Sequence, residues 1–212
     1  IVKPKLGLNA KQHSKVAYNA WVGGIDAVKD DENLTSMKFN RFKDRVAATL
    51  SRRDKAEKKS GERKVYFPNI TAETGEMIRR AEYVKKLGGE YVMIDIITCG
   101  WASLQALRDA DLGLVIHAHR AGHGLFTELR EHGMSMLVVA KLARLVGVDQ
   151  LHVGAIVGKM HGSAKEVAHI GEEITHAFIK SSDSDHILAQ NWKGIEPVFP
   201  VCSGGLHPGL VD

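Results

Sequence analysis

The sequence is poor in cysteine and contains no long apolar run, and both features exclude whole classes of protein. Only two cysteines occur among 212 residues, Cys99 and Cys202, and neither belongs to a CxxC pair. A disulfide scaffold and a cysteine zinc site are therefore not indicated. No stretch approaches the roughly 18 consecutive apolar residues of a membrane span, and no signal sequence opens the chain. We expect a cytoplasmic protein that binds no membrane.

The net charge gives little support to nucleic-acid binding. It is only +4 at pH 7, and much of the excess lies in one basic segment, residues 52–64. Such a segment at a helix end and in the following loop is more often a solvated surface than a binding site. We therefore expect no nucleic-acid partner.

Short β-rich apolar runs alternate along the chain with longer segments of helical period, which is typical of βα units and a parallel sheet. The candidate strands are residues 1–5, 25–29, 64–69, 91–96, 113–119, 150–153 and 198–201. Two of the helical segments carry a predicted buried stripe. The stripes are Phe39, Phe42, Val46 and Leu50 in one segment, and Met136, Val139, Ala140, Leu142 and Leu145 in the other.

Seven strands with helices between them and no break in composition favour a single domain. Right-handed crossovers would close this array into a partial TIM (β/α)8 barrel with about seven βα units and one unit missing. The alternative is an open doubly wound sheet, but the first strand is not followed by a GxGxxG turn. Because the chain opens on Ile1 rather than Met, we expect residues 1–212 to be a fragment that holds an incomplete barrel domain.

In a barrel, reactive groups gather at the C-terminal ends of the strands. The first predicted strand ends in Lys3 and Lys5, which share one face, and the second ends in Lys29, Asp31 and Glu32. Carboxylates suit a hard cation such as Mg²⁺, and the lysine among them would repel that cation unless CO₂ converts its amine to a carbamate anion. Exposed edge lysines and an acidic cluster at a helix N-terminus are the plainer interpretations.

The fifth predicted strand ends in a segment that contains three histidines and Arg120. Zinc is the obvious suggestion for His117, His119 and His123, but the fixed cation of Arg120 favours an anion such as phosphate. One of these histidines is expected to be structural.

The last two predicted strands are followed by glycine-punctuated segments. His152 precedes a loop that carries Lys159; this loop differs from a P-loop in its glycine spacing and favours a mobile lid. Ser203, Gly204 and Gly205 could direct a hydroxyl and backbone N–H groups at an anion, although such a segment is more often only a turn. Taken together, the strand ends predict a bisphosphorylated substrate whose developing negative charge is stabilised by Mg²⁺.

These motifs resemble one family, the large subunit of ribulose-1,5-bisphosphate carboxylase/oxygenase (RuBisCO). KPKLGL, GGIDAVKDDEN, HAHRAGH, the GxxxGK loop and SGG occur in the family's order across essentially the whole chain. KDDENLTS, DQLHVG and SGGLHPG look most like archaeal form III enzymes, which are linked to nucleotide salvage and lack small subunits. The chain departs from plant forms at Ile1, Ala155 and His161.

The resemblance implies a lyase with a competing monooxygenase activity, whose substrates are ribulose 1,5-bisphosphate, CO₂ and O₂ and whose product is 3-phosphoglycerate. It implies a homodimer or higher homo-oligomer of the complete protein without a small subunit. It also implies that an N-terminal α+β domain and the last barrel unit lie outside this chain. Carbon dioxide would serve both as substrate and as the activator that carbamylates a lysine.

The resemblance also assigns roles by position. Lys29 would carry the carbamate, hold Mg²⁺ together with Asp31 and Glu32, and act as the base that forms the enediolate. Lys3 would protonate the product and Lys5 would support its charge. Further roles fall to His119 in hydration and proton transfer, to Lys159 in orienting CO₂, and to Arg120, His152, Ser203, Gly204 and Gly205 in binding substrate.

Two other functions compete with carboxylation. One is a RuBisCO-like enolase or isomerase that acts on a phosphorylated sugar in methionine salvage, and the other is a non-catalytic remnant. RuBisCO-like proteins typically substitute several carboxylation residues, whereas Lys3, His119 and Lys159 are all retained here. A decayed scaffold should also have lost some of these strand-end charges, and the retained set therefore favours the carboxylase.

Overall fold

The computed structural model describes residues 3–4, 6–129, 131–155 and 163–204. The chain divides into two compact units, residues 1–121 and 122–212. In the described part of the chain no helix is both long enough and apolar enough to cross a bilayer.

The first unit alternates helices with short parallel strands. Its elements are α1 (Ala10–Val22), β1 (Ala27–Lys29), α2 (Phe42–Ser60), β2 (Val65–Phe67), α3 (Thr74–Lys86), β3 (Tyr91–Asp95), α4 (Ile96–Asp109) and β4 (Val115–His119). Strand β1 pairs with β2, and β3 pairs with β4, both in parallel. A parallel bridge joins Asn69, just beyond β2, to Met93 in β3. The residues that follow these four strands therefore lie along one edge.

The described residues of the second unit form three α-helices and four short strands, besides a 3-10 turn at Asp183–Asp185. They are α5 (Gly124–Thr127), α6 (Met136–Val146), β5 (Gln150–Gly154), α7 (Ala164–Thr175), β6 (Phe178–Ile179), β7 (Gln190–Asn191) and β8 (Phe199–Cys202). Strand β5 pairs in parallel with β8, and the register shifts between His152 and Gly154. Strands β6 and β7 form an antiparallel pair that the sequence did not predict.

Six of the seven predicted strands are confirmed within a few residues of their expected bounds. The remaining one, residues 1–5, lies mostly outside the described residues, and its two described members, Lys3 and Pro4, are not in a strand.

Two helices of the first unit have well-suited capping residues, α1 at its start and α2 at its end. Asn9 caps α1, accepting a hydrogen bond from Gln12 N at 2.9 Å while its own N–H donates to the Gln12 side chain. Gly61 ends α2 with a φ of 72°, in the left-handed region that glycine adopts at low cost. Between these ends, Trp21 of α1 is fully buried and its ring meets Tyr66 of β2 edge to face at 6.5 Å. These contacts pack the helices against the sheet.

Both predicted helical stripes are only partly correct. In α2, Phe42, Val46 and Leu50 are buried, but Phe39 precedes the helix and is 47% exposed. The helical period therefore does not extend back to Phe39.

In α6, Met136, Val139 and Ala140 are buried, Leu142 is half-buried, and Leu145 is 55% exposed. The buried position beside Leu145 belongs to Arg144. Its guanidinium donates to four main-chain carbonyls, among them Glu173 O at 3.0 Å, and stacks over Trp192 at 4.3 Å. A hydrophobicity pattern cannot identify a core position that is filled by a hydrogen-bonded arginine.

Candidate active site

The candidate site of the first unit begins where β1 ends. Lys29 is the last residue of β1, and Asp31 and Glu32 lie in the irregular connection that precedes α2. The acidic residue in the first turn of α2 is Asp44. The interpretation of Asp31 and Glu32 as acids that complement a helix dipole is therefore not supported.

The carboxylates of Asp31 and Glu32 converge on one ammonium group. Lys3 Nζ lies 3.1 Å from Asp31 Oδ2 and 3.1 Å from Glu32 Oε2. Partial burial alone would lower the pKa of Lys3, but its hydrogen bonds to Glu32 and Asp31 outweigh that effect and raise the pKa. The second oxygen of Asp31 is occupied separately, because Oδ1 accepts from the main-chain N–H of Asn33 at 2.8 Å.

Lys29 approaches the carboxylate of Glu32 from the strand. Its Nζ donates to the carbonyl of Asp30 at 2.9 Å, lies 3.4 Å from Glu32 Oε2, and contacts the Met93 sulfur at 3.4 Å. Burial lowers the pKa of Lys29, and the attraction of Glu32 only partly offsets it. Burial would raise the pKa of Glu32, but a main-chain hydrogen bond and the nearby charges of Lys29 and Lys3 bring it down to about 2.

This donor set fits a hard cation. Two carboxylates already share one cationic group, the ammonium of Lys3, and oxygen ligands are those that Mg²⁺ prefers. Among the described residues, no group of three or more His, Cys, Asp or Glu side chains could hold a metal. The amine of Lys29 lies beside these two carboxylates, 3.4 Å from Glu32 Oε2.

A buried polar network lies beneath this site. The carboxylate of Asp30 is fully buried: Oδ1 accepts from the Tyr66 hydroxyl at 2.7 Å and lies 3.1 Å from His13 Nε2. Its Oδ2 accepts from Arg45 Nε and from Asn69 N, both at 2.9 Å. Burial would raise the pKa of Asp30, but the Arg45 charge and these hydrogen bonds hold it well below its ordinary value. Asp30 thereby fixes the main chain between Lys29 and Asp31.

His119 is held at the end of β4. Its Nδ1 lies 3.1 Å from Asp95 Oδ1, and the main-chain N–H of Ala121 also approaches Nδ1 at 3.2 Å. Thr71 completes the arrangement, because its hydroxyl accepts from Asp95 N at 3.0 Å and donates to Asp95 Oδ2 at 3.3 Å. The other ring nitrogen, Nε2, lies 4.0 Å from Glu32 Oε2. His119 therefore borders the carboxylate cluster.

The other histidines of the HAHRAGH segment have packing roles. His117 is buried, with its ring 5.2 Å from that of Phe67. His123 Nδ1 hydrogen-bonds to the Thr127 hydroxyl at 2.8 Å. Each of these two side chains therefore has a contact within the protein, and the expectation that one of the three histidines is structural stays a prediction. Arg120, directly after β4, is also buried.

The predicted residues of the second unit can be located only in part. His152 is buried in β5, opposite Val201 of β8. Ser203 N donates to Gly154 O at 3.0 Å, and Gly204 has a φ of 117°, which favours glycine. Lys5, Lys159 and Gly205 lie outside the described residues. The anion-binding roles of this unit therefore stay predictions.

Sequence reasoning missed several residues of the first unit that hold the site. Asn69 is the last residue of one predicted strand and Asp95 lies one residue before the end of another. The expectation that functional side chains lie at the C-terminal ends of strands could therefore have found both. Arg45 and His13 carried no signal, because a buried polar side chain in an amphipathic helix looks like a surface residue in the sequence. The missed residues are His13, Arg45, Tyr66, Asn69, Thr71 and Asp95.

Comparison with known proteins gives a consistent result. A family model described as "Ribulose bisphosphate carboxylase large chain, catalytic domain" matches residues 1–212. The ribulose bisphosphate carboxylase of Methanocaldococcus jannaschii is 56% identical over 211 residues, covering 100% of this chain and 50% of that protein. That of Methanosarcina mazei is 52% identical over 214 residues, with the same coverage.

Solved structures agree with these matches. The dimeric archaeal Rubisco of Hyperthermus butylicus has a TM-score of 0.90 and 44% identity, covering 99% of this chain and 50% of that one. The octameric enzyme of Pyrococcus horikoshii has a TM-score of 0.86 and 47% identity, covering 99% and 48%. The likeness confirms the predicted α/β class with part of a barrel domain. The chain spans about half the length of the relatives it matches.

Proposed function

The chain belongs to the family of ribulose bisphosphate carboxylase large chains, and we propose that the protein containing it carboxylates ribulose 1,5-bisphosphate, with O₂ as a competing substrate. One observation carries the proposal: the amines of Lys3 and Lys29 both meet the carboxylate of Glu32, at 3.1 and 3.4 Å. A salt bridge with a purely structural role needs only one amine, and Lys3 already supplies it. A cation site activated by CO₂ requires a second, buried amine to carry the carbamate, and Lys29 supplies that one.

The residues that would hold Mg²⁺ are Asp31, Glu32 and Lys29, the last as its carbamate. When bound, the cation supplies positive charge that stabilises the oxyanion of the enediolate. Burial of Lys29 favours its neutral amine, which is the form that attacks CO₂. The carbamate oxygen is then the base for the substrate proton.

The side chains around this centre would handle protons. Lys3 keeps its ammonium charged next to Asp31 and Glu32, so it can deliver a proton to the product carbanion. His119 Nε2, 4.0 Å from Glu32, is near enough to serve hydration and proton transfer. Lys5 and Lys159 are proposed to stabilise charge on the intermediate and on the new carboxylate. The phosphate contacts are proposed to come from Arg120, His152, Ser203, Gly204 and Gly205.

Two relatives support a proposal for the assembly of the complete protein. The Hyperthermus butylicus enzyme is described as dimeric and the Pyrococcus horikoshii enzyme as octameric. We propose a homo-oligomer without a small subunit for this protein as well. Its cytoplasmic location and a link to nucleotide salvage stay predictions from the sequence.

The experiment is a product analysis with the complete protein, ribulose 1,5-bisphosphate, Mg²⁺ and labelled bicarbonate. The proposal predicts labelled 3-phosphoglycerate, lost in Glu32→Gln and kept in Glu82→Gln, which alters an exposed glutamate of α3. Exchange of the substrate C3 proton without label in the product would indicate the RuBisCO-like enolase instead. Neither exchange nor label would indicate a non-catalytic remnant.

A further inference from the structure

We propose that Asn69 is a positioning residue for the divalent-cation site, in which its side-chain amide fixes the main chain of Asp31 and Glu32. The inference rests on the proposed function, because it concerns the cation that Asp31 and Glu32 would bind. Asn69 touches neither carboxylate. It would act entirely through the carbonyls of the two ligand residues.

The contacts are specific to a carboxamide. Asn69 Nδ2 donates to Glu32 O at 2.9 Å and to Asp31 O at 3.3 Å, and thus bridges two consecutive carbonyls. Its Oδ1 accepts from the main-chain N–H of Thr71 at 3.0 Å. The side chain therefore uses both its donor and its acceptor while being completely buried. No other side chain of similar size offers this combination.

Asn69 is itself held from two directions. Its main-chain N–H donates to Asp30 Oδ2 at 2.9 Å, and a parallel bridge pairs it with Met93 of β3. The amide is therefore anchored to the sheet, and the loop carrying Asp31 and Glu32 is tied to that anchor. Because the cation needs both carboxylates at a fixed separation, a group that fixes both carbonyls limits how far either carboxylate can move.

A purely structural role would make a different prediction. Asn40 provides the comparison, since it is also buried in the first unit and its Nδ2 donates to the carbonyl of Leu8 at 2.9 Å. Asn69→Ala removes two amide-to-carbonyl hydrogen bonds and the one from Thr71 N, and Asn40→Ala removes one amide-to-carbonyl hydrogen bond, so both should lower thermal stability. Only Asn69→Ala should also weaken cation binding.

The test measures Mn²⁺ binding to the complete protein by electron paramagnetic resonance at saturating bicarbonate, and thermal unfolding of each variant. We expect Asn69→Ala to raise the Mn²⁺ dissociation constant by about ten-fold or more, the usual effect of removing an outer partner of a metal site. Asn40→Ala should stay within about two-fold of the wild type. Trapping of labelled CO₂ should require correspondingly more Mg²⁺ in Asn69→Ala.

The outcomes separate the two proposals. If the wild type binds Mn²⁺ and Asn69→Ala matches it, or if Asn40→Ala loses as much affinity, the positioning role is wrong and the proposed function stands. If the wild type itself takes up neither Mn²⁺ nor CO₂, the proposed function is wrong. Should Asn69→Ala fail to fold, Asn69→Ser is measured instead, because a hydroxyl on a shorter side chain cannot bridge both carbonyls and should weaken binding in the same direction.

Discussion

Asp95 and His119 lie directly opposite each other at the ends of the parallel strands β3 and β4, with Asp95 Oδ1 3.1 Å from His119 Nδ1. The main-chain N–H of Ala121 approaches the same ring nitrogen at 3.2 Å. The other ring nitrogen, Nε2, lies on the side of Glu32, 4.0 Å from its Oε2. The contact with Asp95 thus helps to fix the orientation of the His119 ring.

Replacement of Asp95 should therefore impair His119 without removing it. We expect Asp95→Asn to lower kcat at least about ten-fold with a smaller change in KM, because a misoriented proton-transfer group loses part of the usual general acid–base contribution. Steady-state carboxylation by the complete protein measures this. The control is Asp109→Asn at the exposed end of α4, where the carboxylate accepts from Gln105. A kcat for Asp95→Asn within about two-fold of the wild type would show that Asp95 is not needed to orient His119.

The sequence predicts the residues that would bind the cation but not the buried residues that hold them in place. Lys29, Asp31 and Glu32 stand out because charged residues at the end of a buried strand are costly. Asp30 stands in the same run, but nothing in the sequence indicates that its carboxylate faces away from the cluster toward Arg45. Which member of an acidic run is buried depends on tertiary contacts from α1, α2 and β2.

The buried ion pair of Asp30 and Arg45 should contribute more to the free energy of unfolding than a surface ion pair of similar geometry. Asp30 Oδ2 lies 2.9 Å from Arg45 Nε with neither side chain exposed, whereas Asp54 Oδ1 lies 2.8 Å from Arg53 Nη2 with Asp54 55% exposed. We expect Asp30→Asn to reduce the free energy of unfolding by about 3 kcal/mol at pH 7 and Asp54→Asn by less than about 0.5 kcal/mol. Urea denaturation of both variants measures the difference.

The effect of Asp30 should also depend on pH. Its pKa in the folded protein lies below the ordinary value of 3.8, so its contribution is complete above about pH 4 and is lost as the pH falls below that value. The stability difference between the wild type and Asp30→Asn should therefore narrow on acidification below about pH 4. A difference that is constant from neutral to acidic pH would contradict the buried-ion interpretation.

The strand and helix order was predictable, while individual core positions were less so. Strand positions such as Val92 and Ile94 are apolar and buried, so periodicity finds them. Arg144 is 1% exposed and Leu145 is 55% exposed, which reverses their expected order. Arg144 is buried in place of Leu145 because its guanidinium donates to the main-chain carbonyls of Glu173 and His176 at the end of α7 and to that of Ile195, near Trp192. Only an arginine side chain can donate to all of these carbonyls at once.

The role of Lys159 is a prediction from the sequence. Its ammonium is proposed to meet the incoming carboxyl group after the enediolate has formed, so its charge should matter more for carboxylation than for enolisation. Lys159→Ala should lose carboxylation by several orders of magnitude, which corresponds to about 4 kcal/mol or more, while exchange of the substrate C3 proton persists. Equal loss of both rates would mean that Lys159 serves binding or enolisation.

The most direct test of the account is whether Lys29 itself carries the activating CO₂. Labelled CO₂ trapped on the complete protein with Mg²⁺ should be stoichiometric with the chain, should increase with pH as the Lys29 amine loses its proton, and should be absent from Lys29→Ala. Lys43→Ala, which alters an exposed lysine of α2 that lies over Tyr83, should trap as much label as the wild type. Undiminished trapping and CO₂-dependent activation in Lys29→Ala would contradict the assignment of the cation site to Lys29, Asp31 and Glu32.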